Sequence, residues 1–397
     1  MVKVETSRLG DLINLKRGYD LPEKYRVKGE YPVISSAGMS GYHNDYKVEG
    51  PGVVTGRYGT LGQMYFIEDK YWPHNTALYV QDFKGNDPKY IYYLLSCLGR
   101  IRTSDKSAVP GINRNELHEM EIPAIKDKNV QIKIRQVLEV IDKKIELNNR
   151  INTELEAMAK TLYDYWFVQF DFPDTNGKPY KTSGGKMVYN TTLKREIPEG
   201  WDNGTLNDLG QIVGGSTPST KNQDNFTEKG VPWITPNDLS NNAGYKFITR
   251  GALDVSEEGI NSASLKKYPK GTVLLSSRAP IGYMAIARNE ITTNQGFKSF
   301  IPNKGYPSSF IYYTIKNSLK AITQYATGST FKEISGGVLK TVKIVLPDPD
   351  ISIKYEQTTK GIFERQNILE LENKKLTKLR DWLLPMLMNG QVTVTPS

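Results

Sequence analysis

The sequence contains very little cysteine and histidine. Its 397 residues include one cysteine, Cys97, and three histidines, all in the first third of the chain. A single thiol cannot form an internal disulfide, and a structural zinc site needs more cysteine and histidine ligands than the chain offers. Because Cys97 lies in the apolar run at residues 92–98, we expect a buried core thiol rather than a nucleophile.

Long apolar runs are also missing. No stretch approaches the roughly 20 apolar residues that a bilayer-spanning helix needs, and residues 1–6 lack the apolar segment of a secretory signal. We therefore expect a cytoplasmic protein that makes no contact with a membrane.

The motifs of several enzyme classes are absent. The sequence has no Gly-x-x-x-x-Gly-Lys-Ser/Thr phosphate loop, and no Asn-Pro-Pro-aromatic run of the kind that holds the target base in adenine methyltransferases. No histidine follows His118 to activate a hydroxyl nucleophile in the second half of the chain. We predict a chain without catalytic residues, and scattered carboxylates that form a metal-dependent nuclease site remain the weaker alternative.

What the chain does contain is a surplus of positive charge. It carries 52 Lys and Arg against 43 Asp and Glu, a formal net charge of +9. Residues 173–347 hold 21 basic and 13 acidic side chains, whereas residues 1–125 hold 16 and 15. A basic surplus favours a polyanionic partner, and its uneven distribution predicts two domains with different surfaces.

The sequence also repeats itself over a long distance. Residues 52–57 resemble residues 271–278, and residues 74–78 resemble residues 293–297, both at an offset of 219. Residues 90–94 resemble residues 310–314 at an offset of 220. Each copy closes on a strand that ends in proline, Pro123 or Pro347, and a long helical pattern follows. One structural plan is therefore expected to occur twice.

Both helical patterns have apolar residues at alternating spacings of three and four, which predicts coiled-coil seams. A helix of roughly 40 residues is about 60 Å long, so we interpret the pair as an antiparallel spacer; a solvated single helix is the alternative. Pro385 and Gly390 are expected to end the second helix. The predicted seam positions are Leu138, Ile141, Ile145, Asn148, Leu155 and Leu162, then Ile362, Leu369, Leu376, Leu379 and Leu383.

These features predict an α+β fold with a pseudo-two-fold internal repeat. Two mixed α/β domains, at residues 1–125 and 171–347, are separated by two long antiparallel coiled-coil helices, at residues 126–170 and 348–390. The aromatic residues between 162 and 170 favour docking of the first helix onto the second domain over a surface that stacks on nucleobases.

Glycine-hinged loops with polar tips are the candidate binding elements, since these side chains meet base edges and phosphates. In the first domain the candidates are Lys16, Arg17, Arg57, Tyr58, His74, Asn75, Lys106 and Ser107. In the second they are Gly215, Ser216, Thr217, Lys221, Arg278, Asn294, Gln295, Ser329, Thr330 and Lys332. A structural role is the competing interpretation for Arg57 and Arg278, and a turn role for Asn75 and Asn294.

The chain resembles the specificity subunits of type I restriction-modification systems along nearly its whole length. Residues 17–22 depart from the family's Gly-Gly-x-Thr-Pro element, and one residue more separates Arg57 from Gly62 than Arg278 from Gly282. The resemblance is carried by Ile197-Pro198-Glu199-Gly200-Trp201, by residues 209–219, 278–282 and 294–297, by Trp166-Phe167-Val168, and by the ending at residues 379–391.

The resemblance implies that the domains are target-recognition domains, each reading one half of a bipartite, asymmetric site in double-stranded DNA. The helices would bind two modification subunits, which supply adenosylmethionine and methylate adenine N6. Restriction subunits, which are translocases and nucleases, would use ATP and magnesium in defence against foreign DNA. This chain would bind no cofactor or metal itself. The competing prediction is a coiled-coil protein-interaction scaffold that binds no DNA and lacks a concave basic surface at Arg57, Arg278 and Lys332.

Overall fold

The computed structural model of the chain describes residues 3–56, 63–98, 113–278, 280–324 and 333–394. It divides into two compact units, one formed by Met1–Glu146 with Asn373–Ser397 and the other by Leu147–Glu372. Each unit contains one mixed α/β domain and a part of each long helix. The unit limits therefore fall inside the helices, and the limits expected at residues 125, 170, 347 and 390 stay predictions.

The first unit holds three small sheets, with strand orders β1-β9, β2-β8-β5-β6 and β4-β3-β7. The strands are β1 Glu5–Arg8, β2 Asn14–Arg17, β3 Tyr31–Ser35, β4 Gly38–His43, β5 Gly52–Gly56, β6 Met64–Ile67, β7 Trp72–Pro73, β8 Ala77–Asp82 and β9 Glu121–Ala124. The helices are α1 Leu9–Leu12, α2 Pro88–Cys97, α3 Arg114–Glu119 and the first part of α4 Lys128–Tyr163.

Helix α2 shows how local sequence builds this unit. Asp87 caps the helix by accepting a hydrogen bond from the Tyr90 amide at 2.8 Å, and Pro88 takes the first helical position, where a missing N–H costs nothing. Its apolar face joins the core of the unit. Cys97, at the helix end, packs against this core as expected of a core thiol, but it is half-buried and not buried. The last helical turn lies at the margin of the core, which leaves that side chain partly open.

The second unit holds four sheets, with orders β10-β11, β12-β22, β13-β21-β18-β19-β16 and β14-β17-β15-β20. The strands are β10 Met187–Asn190, β11 Arg195–Pro198, β12 Asp202–Thr205, β13 Gln211–Gly214, β14 Phe226–Thr227, β15 Val231–Ile234, β16 Phe247–Ile248, β17 Leu253–Val255, β18 Val273–Leu275, β19 Met284–Ala287, β20 Thr292–Thr293, β21 Lys298–Ile301 and β22 Lys343–Leu346. The helices are α5 Pro236–Asn241, α6 Glu257–Ser262, α7 Ser308–Gln324, α8 Gly336–Leu339 and α9 Pro349–Met388.

The aromatic residues that follow α4 lie in the core of the second unit. Trp166, Phe167 and Phe170 are buried there together with Trp201, and the ring centroids of Phe167 and Phe310 are 4.7 Å apart. Their burial confirms that they dock the end of the helix onto the domain and are not a surface for stacking on bases.

The two domains share one sheet order and one strand register. The order β2-β8-β5-β6 of the first recurs as β13-β21-β18-β19 in the second. Gly56 faces Ala77 across one sheet, and Ser276 faces Phe297 at the corresponding place in the other. Residue n of the first domain thus matches residue n + 220 of the second: Gly56 corresponds to Ser276, and Ala77 corresponds to Phe297. The internal repeat is confirmed at the level of strand pairing.

This register corrects the sequence alignment by one residue in two segments. The offset of 219 predicted for residues 52–57 and 74–78 is wrong, and the strand pairs place His74 with Asn294 and Asn75 with Gln295. Matching glycine with glycine and asparagine with asparagine favoured the shorter offset. The hydrogen-bond ladder decides the register instead, because a slip of one residue would turn every side chain to the opposite face of the sheet.

The two long helices pair in antiparallel fashion within each unit. In the first, Arg380 of α9 donates to Asp142 of α4 at 3.0 Å. In the second, the Asn148 amide donates to Glu372 at 2.7 Å, and the Tyr355 hydroxyl donates to the Ala159 carbonyl at 2.9 Å. Contrary to expectation, Pro385 does not end α9, which continues to Met388. The backbone of Gly390, with a φ of 71°, follows the end of the helix.

The burial of the predicted seam positions varies along the helices. Leu379 was predicted to lie in the seam, but it is 43% exposed, and the neighbouring Arg380 turns inward instead. Buried seam positions of α9 include the polar Thr359, Gln366 and Asn373, seven residues apart. Hydropathy cannot identify polar seam positions, and this explains the error. Of the other predicted positions, Leu138, Ile141, Asn148 and Leu369 are buried, and Ile145, Leu155, Leu162, Ile362, Leu376 and Leu383 are half-buried.

Candidate nucleic-acid interface

Two polar loops meet in the first unit, residues 17–20 after β2 and residues 74–75 after β7. The Tyr19 amide donates to the Pro73 carbonyl at 2.8 Å, and the Arg17 Nε donates to the Asn75 carbonyl at 3.1 Å. The Asn75 side-chain amide donates to the Asp20 carboxylate at 2.5 Å. These contacts bring the sequence-predicted Arg17, His74 and Asn75 together. We call residues 17–20 and 74–75 the first loop pair.

The second unit repeats this arrangement with residues 214–217 after β13 and residues 294–295 after β20. The Ser216 amide donates to the Thr293 carbonyl at 3.1 Å, as Tyr19 does to Pro73. The Thr217 hydroxyl is hydrogen-bonded to the side chain of Gln295, as Asn75 is to Asp20. We call residues 214–217 and 294–295 the second loop pair. It has the same geometry as the first, with different side chains.

A glycine is required at the same place in both loop pairs. A Cβ at Gly18 would lie 2.2 Å from the His74 carbonyl oxygen, and one at Gly215 would lie 2.1 Å from that of Thr293. No side chain fits at such distances without moving the backbone. Gly18 therefore takes the place of the second glycine in the motif at residues 214–218, although the rest of that motif is missing in the first domain.

The side chains of the loop pairs differ in what they can offer a ligand. The Asn294 side-chain Oδ1 accepts a hydrogen bond from the Gly296 amide at 2.9 Å, so this side chain closes a turn. Gln295 is exposed, and Ser216 and Thr217 line an open cavity of about 530 Å³ together with Ser219 and Asn222. In the second loop pair the exposed amide of Gln295 is thus the better placed to meet a base edge.

Electrostatics make the histidine of the first loop pair a neutral group. Burial, aided by the charge of Arg26, lowers the pKa of His74, so its imidazole is uncharged at pH 7. Its Nδ1 lies 3.0 Å from the Thr76 hydroxyl. A neutral ring has one donor and one acceptor nitrogen, which suits contact with a base rather than a phosphate.

Of the remaining predicted residues, Lys16, Lys221 and Arg278 lie in the described part of the chain. The Lys16 ammonium lies 5.6 Å from the centre of the Tyr19 ring. Lys221 is exposed in the stretch that follows the second loop pair, and Arg278 is half-buried, with its backbone bridged to Glu333. Arg57, Tyr58, Lys106, Ser107, Ser329, Thr330 and Lys332 lie outside the described residues.

Sequence reasoning missed a buried ionic cluster in the second unit. The Lys246 ammonium, whose side chain is 2% exposed, lies 2.7 Å from the Glu156 carboxylate of α4. It also donates to the Tyr313 hydroxyl at 2.8 Å and to the Gln366 side chain of α9 at 2.7 Å. Lys316 of α7 makes a second ion pair with Glu156 at 2.7 Å. The cluster ties the domain to both long helices, and no pattern in the sequence indicates it.

The cluster shifts the pKa values of its members. Burial alone would raise the pKa of Glu156, but Lys246 and Lys316 outweigh it and lower that pKa to about 2. For Lys246 burial is the stronger effect and lowers its pKa, because its ammonium is removed from water more completely than the carboxylate. In the first unit, Tyr93, which matches Tyr313 in the repeat, donates to Asp142 of α4 at 2.6 Å. Because the Tyr313 hydroxyl donates to Glu156 of α4 at 3.0 Å, both domains use this tyrosine to contact α4.

Within the described part of the chain, no three His, Cys, Asp or Glu side chains gather in a way that could hold a metal ion. Among the same residues, no helix combines the length and the apolar character that crossing a membrane requires.

Comparison with known proteins gives a consistent result. Residues 1–157 and 198–380 match the family model of the type I restriction modification DNA specificity domain. The MjaIX type I restriction enzyme specificity subunit of Methanocaldococcus jannaschii is 46% identical over 205 residues, which are 51% of this chain and 46% of that protein. The chain thus spans about half the length of that relative.

Two further proteins are similar over a larger share of the chain. The HindI type I restriction enzyme specificity subunit of Haemophilus influenzae is 27% identical over 362 residues, 77% of each protein. A crystal structure of a type I restriction-modification S subunit from M. genitalium has a TM-score of 0.60 at 16% identity, and the match covers 99% of this chain and 97% of that one. The second likeness is one of fold alone.

Proposed function

Since this chain belongs to the family of type I restriction modification DNA specificity domains, with residues 1–157 and 198–380 matching the family model, we propose that it reads a bipartite, asymmetric target in double-stranded DNA. It then places methyltransferase and restriction subunits on that target. Each mixed domain reads one half of the target. The chain acts in the cytoplasm and carries out no catalytic step itself.

One observation carries this proposal: the two loop pairs share their backbone contacts but not their side chains. The Tyr19 amide donates to the Pro73 carbonyl in the first loop pair, and the Ser216 amide donates to the Thr293 carbonyl in the second. Yet Asn75 stands where the second domain has Gln295, and Asp20 stands where it has Thr217. Loops with the same backbone contacts but different side chains suit two different half-sites. Side-chain contacts to bases specify the sequence, whereas the backbone only positions those side chains.

The long helices are the proposed docking surface for two modification subunits. Large apolar side chains remain exposed on both of them, with Val140 at 69%, Met158 at 55%, Ile368 at 53% and Trp382 at 56%. Exposed aromatic and aliphatic residues on a helix favour burial against a partner. In this proposal the modification subunits bind adenosylmethionine and methylate adenine, and the restriction subunits bind ATP and magnesium.

The length of the helices sets the spacing of the half-sites in this proposal, about 10 bp from centre to centre. Removing seven residues from α4 and seven from α9 shortens each helix by about 10 Å. That is about 3 bp of DNA. The half-site sequences are expected to persist while the spacer contracts, and new half-site sequences with an unchanged spacer would contradict the role of the helices.

The experiment that tests the proposal is co-expression with a partner methyltransferase, followed by mapping of methylated adenines. Binding of duplex DNA is measured across a salt series for the chain alone and for the complex. Split, asymmetric methylation that requires the chain supports the proposal. Tight binding of the partner without sequence-specific methylation would instead favour a protein-interaction scaffold.

A further inference from the structure

A cationic side chain lies at one equivalent place in both domains but comes from opposite strands. In the first domain Arg17 of β2 faces Leu78 of β8. In the second, Gly214 of β13 faces Lys298 of β21. Because Leu78 and Lys298 correspond in the repeat, so do Arg17 and Gly214. Each cross-strand pair therefore contains one cation, and the strand that supplies it has changed.

The geometry places the Lys298 ammonium close to the point from which the Arg17 side chain extends in the other domain. A Cβ at Gly214 would lie 3.7 Å from the Lys298 ammonium. In the first domain that Cβ belongs to Arg17, and the residue opposite, Leu78, is only 2% exposed. The Lys298 side chain thus crosses to its neighbouring strand and brings its charge to where the Arg17 side chain starts. A cation at the same cross-strand pair in both domains, supplied by a different strand in each, points to a role for the charge rather than for either strand.

The surroundings of this point suit an anionic ligand. Gly214 is the first residue of the second loop pair, and Lys298 follows Gln295 by three residues. Among the described residues, the Lys298 ammonium has no hydrogen-bond or ion-pair partner. Within the same part of the chain, the Arg17 guanidinium makes one hydrogen bond, from its Nε to the Asn75 carbonyl. Each domain therefore presents unused N–H donors of a cation in or directly beside its loop pair.

We propose that Arg17 and Lys298 each bind a backbone phosphate of the DNA at the equivalent position of the two half-sites. This proposal rests on the proposed function. Contacts to phosphates set the register of a protein on the duplex and carry no sequence information themselves. The two phosphate contacts thus hold the first and second loop pairs in the same register against their different bases.

The test compares Lys298→Gln, Lys304→Gln and the double variant Gly214→Arg/Lys298→Leu in the methyltransferase complex. Each Gln variant removes one positive charge. Lys304, beyond the other end of β21, bonds the Asn207 carbonyl and is the matched control. Duplex DNA carrying the mapped target is titrated between 50 and 200 mM salt. The double variant moves the cation to the strand that carries it in the first domain, and an arginine Cβ at Gly214 meets only ordinary contacts.

Lys298→Gln is expected to reduce the steepness of log K against log salt by about 0.9. Over this fourfold salt range the variant therefore loses about 3.5-fold less affinity than the wild type, and the methylated sequence stays the same. Lys304→Gln should leave the slope as in the wild type, and the double variant should restore it. Equal slopes for both Gln variants, or no restoration in a double variant with wild-type melting temperature, would overturn the phosphate contact. Failure of the wild-type complex to methylate a specific sequence would overturn the proposed function instead.

Discussion

Replacing Glu156 with glutamine should destabilise the second unit in a manner that depends on pH. The Glu156 carboxylate lies 2.7 Å from the ammonium groups of both Lys246 and Lys316. Glutamine is close in shape but cannot balance either charge. The buried Lys246, with a side chain only 2% exposed, then loses its anionic partner.

The pKa of the carboxyl group sets the magnitude. In the folded protein the pKa of Glu156 is about 2, compared with an ordinary value of 4.5. At 1.36 kcal/mol per pKa unit, the ionised group contributes about 3 kcal/mol to stability. Because the folded pKa is the lower one, this contribution is present above pH 4.5 and is lost as the pH falls towards 2. Glu156→Gln should therefore cost about 3 kcal/mol at pH 7 and little at pH 2.

Hydrogen–deuterium exchange with mass spectrometry measures this effect locally. Peptides from α7 and from the end of α4 are followed at pH 7 and at pH 3, and rates are corrected for intrinsic exchange at each pH. A loss of 3 kcal/mol at pH 7 raises the exchange of these peptides on the order of a hundredfold. Glu154→Gln is the matched control, since Glu154 is exposed on the same helix and carries the same charge.

Two results would refute the reasoning. If Glu156→Gln raises exchange no more than Glu154→Gln at pH 7, the cluster does not stabilise the unit. If the deficit of Glu156→Gln is as large at pH 3 as at pH 7, it arises from packing and not from the ionised carboxyl group.

Three further predictions concern the loop pairs and the end of α9. Gly215→Ala places a Cβ 2.1 Å from the Thr293 carbonyl oxygen and should displace the loop and abolish target methylation; methylation at the wild-type level would contradict the required glycine. Asn75→Ala should relax base preference in one half-site only, as read by mapping methylated adenines, and a change in both halves would count against separate readers. Arg380→Met breaks the 3.0 Å pair with Asp142 and should cost about 1–2 kcal/mol, seen as faster exchange in residues 373–388; an effect no larger than that of Lys378→Met would show that the pair contributes nothing.

Much of the fold was predictable because its signals are local or repeated. Alternating apolar spacings indicated both long helices, and the prolines at 123 and 347 marked the start of each one. The repeat of glycine, aromatic and proline positions indicated two copies of one domain. Family resemblance carried the functional prediction, and the glycines of the loops marked where the chain turns.

Other features depend on which residues meet across the fold. Leu379 and Arg380 are equally plausible seam positions by spacing, and only the location of Asp142 decides that Arg380 turns inward. The partner of Asn75 is Asp20, 55 residues away in the sequence. Nothing in the residue types predicts such a pair, because polar side chains find partners through the geometry of the whole domain.

The sequence by itself thus determined the two-copy architecture, the long helices and the loops that carry polar tips, since periodicity, glycine and proline act on the local backbone. Only the tertiary structure decided the register between the copies, the burial of Lys246 beside Glu156, and the equivalence of the cross-strand pairs that contain Arg17 and Lys298. These features depend on strand pairing and on distances between residues that are far apart in the chain. The residue pattern is compatible with several such arrangements, and hydrogen-bond geometry and the cost of desolvation select one of them.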